Sequence, residues 1–203
     1  MRMLAIECAT EVCSLALFEG EDLLDSRHEI LGRGHAEYIV PLIASLPDKG
    51  RAAEIRVSLG PGSFTGVRIG LAAARALGLA WRARVRGYPT LALVAQHSSQ
   101  PNLRSVTVCM AGGHGQWFVQ NFDEGHMPED VVRSLPPEEA LRGARHSAVA
   151  GNRARELAGL DEGRRIAIEV LPDARYVARL PESLLTDDIA PIYGRGPDAR
   201  LTA

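Results

Sequence analysis

An apolar run, Ile55 to Leu59, passes straight into Gly60-Pro61-Gly62-Ser63-Phe64-Thr65-Gly66, and an Ala- and Leu-rich run follows to about Ala80. A strand, a glycine turn and a helix in immediate succession fit few folds, because the helix must start close against the strand it leaves. Glycine tolerates positive φ and lets another backbone, or a phosphate, approach the helix N-terminus. The turn is not a Walker A loop, since Val67-Arg68 stands where Lys-Ser/Thr would be. Its third glycine falls one residue late for the dinucleotide fingerprint. The residues leave two readings open, tight backbone packing and phosphate binding, and packing is the better supported.

The helix from Thr65 to Ala80 carries Gly66, Gly70, Ala74 and Gly78 at successive i+4 positions. An interior glycine costs about 1 kcal/mol of helix stability relative to alanine, so a close neighbour should compensate. That neighbour is either a partner helix packed along the i±4 ridge or the chain's own sheet. The spacing does not choose between them.

Upstream, Met3 to Cys8, Cys13 to Phe18 and Leu23 to Ile30 read as a three-stranded meander whose third member is polar enough for an edge. Ala36, Ile39, Val40 and Ile43 then mark an amphipathic helix, bent at Pro41 and closed by Pro47-Asp48-Lys49-Gly50. The order is β-β-β-α-β-α, that of a ribonuclease H-like unit. Beyond a polar stretch at 97–104, a second unit is expected. It comprises strands Val106 to Met110, Gln116 to Phe122, Ser147 to Ala150 and Arg165 to Val170, and helices Pro137 to Arg142, Arg153 to Leu160 and Ala174 to Leu185. This predicts an α/β protein of two lobes, residues 1–96 and a smaller 97–203.

Composition narrows the function classes. Hydrophobic residues at 46% and charged residues at 24% are those of a globular chain, not a disordered one. Arg68 and Arg75 interrupt the richest apolar stretch, Val67 to Trp81, so no transmembrane helix is expected. Glu7 breaks the N-terminal run before a signal-peptide core forms. Cys8, Cys13 and Cys109 are odd in number and without Cys-x-x-Cys spacing, which predicts buried free thiols in a reducing cytoplasm. The segment 55–122 contains seven arginines and no acid, so it carries +7 and the flanks together −9. With a single lysine, Lys49, arginine dominance reads chiefly as base-composition bias. An acid-free segment is also compatible with an RNA-facing or acidic-partner surface. His35 has isoleucine at i+4 instead of a second ligand, which predicts a capping or interface histidine and no metal. Ser63 lies outside any Gly-x-Ser-x-Gly elbow.

Leu4-Ala5-Ile6-Glu7-Cys8-Ala9-Thr10, Cys13-Ser14-Leu15-Ala16-Leu17, Arg33-Gly34-His35-Ala36 and, above all, Gly60 to Leu71 resemble the TsaB (YeaZ) family, as does the closing Pro191-Ile192-Tyr193. The resemblance is strong over 3–95 and thin from 97 to 175. It implies an actin-like (ASKHA) fold and a non-catalytic scaffold. That scaffold pairs through its N-lobe helices with a TsaD-like catalytic paralogue, joined by a TsaE-like ATPase, to transfer a threonylcarbamoyl group to the adenosine beside the tRNA anticodon. ATP and metal are then expected on the partner enzyme, with no cofactor on this chain. A homodimer is admitted for the chain alone.

Carried onto this sequence, the partner interface falls on His35, Ile39, Leu42, Ile43, Gly66, Val67, Gly70, Leu71 and Ala74. Arg82, Arg84 and Arg86 become a candidate tRNA-facing surface. Two departures stand out. Glu7 replaces the family's usual Asp, and Met110-Ala111-Gly112-Gly113-His114 replaces a strand that usually continues into Asp-Ala-Arg. The competing readings are a metallopeptidase-like or ATP-hydrolysing enzyme of the same superfold and a free-standing RNA-binding module.

Overall fold

The computed structural model describes residues 1–100 and 105–194. The first lobe is a five-stranded sheet in the order β3-β2-β1-β4-β5. Its strands are β1 (Arg2–Glu7), β2 (Val12–Glu19), β3 (Asp22–Ile30), β4 (Glu54–Ser58) and β5 (Arg84–Tyr88). The β1–β2–β3 meander is antiparallel, while β4 and β5 run parallel to β1. Strand alternation divides the core. Leu4, Ile6, Leu15 and Leu17 pack under the helices α1 (His35–Ala44) and α2 (Phe64–Trp81). Met3, Ala5, Ala16 and Phe18 pack on the opposite face with α3 (Thr90–His97) and the second lobe.

The second sheet has the order β10-β9-β6-β7-β8. It is built from β6 (Val106–Gly113), β7 (Gln116–Phe122), β8 (Arg133–Leu135), β9 (Ala148–Ala150) and β10 (Ile166–Ile168). The helices α4 (Pro137–Gly143) and α5 (Ala154–Leu160) complete it. Residues 186–192 then return to the first lobe. Thr186 bridges Gly87, and Ile192 N–H donates to the Leu59 carbonyl at 2.7 Å.

Four elements differ from the sequence reading. β5, α3 and the three-residue β8 were not expected: Arg84 and Arg86 disguise a strand, α3 is buried all round and so shows no amphipathic period, and β8 is too short for a pattern. The helix expected over Ala174–Leu185 is instead two 3₁₀ turns, Ala174–Arg179 and Glu182–Leu184. Pro181 between them disfavours α conformation at Leu180. Part of the expected 97–104 boundary, residues 101–104, lies outside the described residues. Among the described residues no helix is long and apolar enough to cross a membrane.

Candidate functional site

The two lobes face each other across a cleft of about 1260 Å³. One wall is the Gly60–Gly66 turn with the start of α2. The other is the β6–β7 hairpin at Gly112-Gly113-His114, with Asn152, and Tyr193 closes the mouth. The glycines of the turn are explained by backbone packing. A Cβ on Gly62 would overlap the Ala9 carbonyl, and one on Gly66 would overlap the Cys8 carbonyl. Ser63 N–H donates to the Ala9 oxygen at 2.6 Å, and the Ser63 hydroxyl caps α2 by accepting from Gly66 N–H at 3.2 Å. These groups seat the helix on the β1–β2 turn and are no longer free to cradle a phosphate. The nearest cation, Arg68, lies over the Phe64 ring at 3.7 Å and donates to the Tyr193 hydroxyl at 3.0 Å.

Beneath the cleft, Glu7 is wholly buried and accepts from Ala9 N–H at 2.6 Å. Burial raises its carboxyl from 4.5 to about 7, against hydrogen bonds from Ala9, Ser58 and Tyr88 that lower it. Ser14, His28 and Asp173 converge where the second lobe meets β2 and β3, but not as a nucleophilic triad. His28 Nδ1 is the atom near both Ser14 Oγ (3.2 Å) and Asp173 (3.5 Å), whereas a relay needs both ring nitrogens. Ser14 is fully buried and accepts from Ala174 N–H, and Arg175 holds the Asp173 carboxylate below its usual pKa against the opposing effect of burial. The cluster joins the lobes.

The site residues read from sequence need correction. His35 is buried, its Nε2 at 3.2 Å from the Val12 carbonyl, so it ties α1 to β2. Ile39, Ile43, Val67, Leu71 and Ala74 belong to the core beneath the helices. Gly66 and Gly70 face the chain's own sheet, where a Cβ on Gly70 would lie 3.5 Å from Cys8 Cβ and 3.6 Å from Val57 Cγ2. Gly78 likewise faces Val85. The small-residue row therefore packs on β1, β4 and β5, and only Leu42 of the nine expected residues is left partly exposed.

The arginines also divide. Arg86 is buried and paired with Glu182, and Arg84 makes two hydrogen bonds to Asp187 at 2.9 and 2.8 Å. Of these three, Arg82 alone is exposed with no acid within ion-pair reach among the described residues. Sequence reasoning missed the outward sides of α1 and α2. There Tyr38 (52% exposed), Val40 (60%) and Leu79 (85%) stand beside exposed Pro41, Ala44, Ala72 and Ala76. The signal was available: these are the positions between the buried ones. Among the described residues no three metal-ligating side chains come together.

With this geometry in place, comparison with known proteins is informative. The family model described as TsaD, tRNA N6-adenosine threonylcarbamoyltransferase, matches residues 28–150, more than half of the chain. The Escherichia coli tRNA threonylcarbamoyladenosine biosynthesis protein TsaB is 38% identical over 110 residues, 50% of this chain and 46% of that protein. The chain thus spans about half the length of this curated relative in the matched region. The Haemophilus influenzae protein of the same description is 26% identical over 96% of this chain and 94% of its own length. A Pseudomonas aeruginosa structure described as similar to peptidase YEAZ superposes with TM-score 0.77 at 24% identity, over 96% of this chain and 99% of that one. The ethanolamine utilization protein EutJ from Carboxydothermus hydrogenoformans shares the fold at TM-score 0.53 and 8% identity, covering 89% of each chain. The fold is the two-lobed actin-like one.

Proposed function

The chain belongs to the TsaB (YeaZ) family, and from that premise we propose that it is a non-catalytic scaffold in tRNA threonylcarbamoyladenosine synthesis. It docks a TsaD-type enzyme, which binds the ATP and metal and transfers the threonylcarbamoyl group to tRNA. A TsaE-type ATPase joins that pair, and tRNA is held by the assembly and not by this chain alone. Without its partner the chain pairs with a second copy through the same face.

The observation that carries this reading is the outward side of the α1–α2 pair. Large apolar side chains left in water on two adjacent helices are unusual for a surface that stays bare. Helix-on-helix packing would cover them. The Gly60–Gly66 turn supports the non-catalytic half of the reading, because its Ser63 and Gly66 N–H donors are engaged within the chain and its glycines are packed against the Cys8 and Ala9 carbonyls.

Reconstitution tests it. The TsaD-type and TsaE-type proteins of the same organism, supplied with the threonylcarbamoyl adenylate and tRNA, should modify tRNA only when this chain is added. The chain by itself should transfer nothing. Transfer by the chain alone, or full transfer without it, would overturn the proposal.

A further inference from the structure

Cys8 and Cys13 face each other across the β1–β2 hairpin. The register that pairs Ile6 with Leu15 and Glu7 with Ser14 makes them the next opposed pair. Opposed residues of an antiparallel ladder have Cα atoms roughly 4.5–5.5 Å apart, within the span that a disulfide bridges. Their Sγ atoms lie 3.7 Å apart, and both thiols are free and buried. Ala9, Thr10 and Glu11, which follow Cys8 in the chain, line the interlobe cleft, so the pair sits just beneath its floor. Cys109, in the second lobe, has no such neighbour among the described thiols.

We propose that Cys8 and Cys13 form a reversible dithiol–disulfide couple, a modification site for hydrogen peroxide. Hydrogen peroxide, close to water in size, is the class of oxidant suited to a pair just under a cleft floor. Cys13 is the attacking sulfur: its contact with the Cys8 thiol holds it below the usual thiol range, while the same contact and burial push Cys8 well above. The Cys13 thiolate attacks one peroxide oxygen, the O–O bond breaks, and the departing hydroxide takes up a proton as water. The sulfenic acid left on Cys13 is attacked by the Cys8 sulfur, which gives up its proton as the S–O bond breaks and a second water leaves. Two thiols and one peroxide become one disulfide and two waters. The sulfurs lose the two electrons that the peroxide gains, and an external thiol reverses the step.

The site bears on α2. The carbonyls of Cys8 and Ala9 are the surfaces against which Gly66 and Gly62 close, and Cys8 Cβ lies under Gly70. A covalent link across the hairpin end fixes the platform from which the helix starts.

The full chain, reduced and then exposed to hydrogen peroxide, should lose about 2 Da and fall from three to one alkylatable cysteines after denaturation. Peptide mapping should place the link between Cys8 and Cys13 within one chain, and dithiothreitol should restore all three thiols. The link should survive Cys109→Ala and disappear in Cys8→Ala and Cys13→Ala. Mapping of the unmutated chain decides the matter even if a variant fails to fold. Three free thiols after treatment, over-oxidation of a single cysteine without a link, or links only between chains would overturn the proposal.

Discussion

Glu7 sits with no exposure between Ala9 N–H and the Tyr88 hydroxyl, and burial is the largest influence on its carboxyl. A carboxyl whose folded pKa is raised holds its proton more tightly in the folded chain. It therefore costs no stability below about pH 4.5, an increasing amount from there to about pH 7, and the full amount above. Glu7→Gln should stabilise the protein at pH 8 by an amount on the order of 3 kcal/mol, and by little at pH 4.5. Urea denaturation at both pH values checks this, and an equal gain at the two would contradict it. The glycines of α2 make a second residue-scale test. Gly66→Ala drives a Cβ into the Cys8 carbonyl and should destabilise by roughly 1–3 kcal/mol or more. A Cβ on Gly70 meets only ordinary contacts, so Gly70→Ala should be neutral or stabilising by up to about 1 kcal/mol. Gly70→Leu should overpack the same site and unfold the chain more readily. Melting curves of the three variants separate these outcomes. The row of small residues was plain in the sequence, but its target was not. Periodicity identifies a face and says nothing about what lies opposite it.

At the scale of elements, two arginines of the acid-free segment meet acids about a hundred positions later, and a third meets a carbonyl there. Glu182 pairs with Arg86, Asp187 with Arg84, and Arg75 donates to the Ile189 carbonyl at 3.0 Å. Buried Glu54 shares Arg56 and Arg86, so removing Arg86 leaves a carboxylate under-compensated inside the sheet edge. Arg86→Ala should cost about 2–3 kcal/mol in denaturant titrations. Arg82→Glu should leave stability unchanged. If Arg82 meets a phosphate in the assembly, the slope of tRNA affinity against salt should drop by about one. An unchanged slope would remove the last of the three arginines from the RNA surface. The same contacts explain what the sequence hid. Strand β5 carries arginines because its neighbours supply acids, which only the fold brings near. The meander, α1, β4 and α2 were legible because each has a local signature: alternation, a 3.6-residue period, or a glycine turn. The 3₁₀ turns at 174–184 were not, because an apolar spacing suited to a helix outweighed the stop at Pro181.

Across the whole molecule, the two faces of the first sheet have different employment. One is covered by α3 and the second lobe, with Tyr88, Leu91 and Val94 in a continuous core with Val108 and Phe122. The other is covered by α1 and α2, whose inward sides are filled and whose outward sides expose Tyr38, Val40 and Leu79. All but Leu42 of the residues first expected at the interface are buried on the inward side, so the proposed docking falls on the residues between them. The most direct measurement is isothermal titration of the TsaD-type partner into the Val40→Asp, Leu79→Asp double variant. Both positions are solvent-exposed, so the variant should melt within a few degrees of the unmutated chain. Binding should weaken at least about a hundredfold, since two carboxylates would be buried without partners at the centre of the contact. A folded variant that binds with unchanged affinity would show that this helix face is not the docking surface.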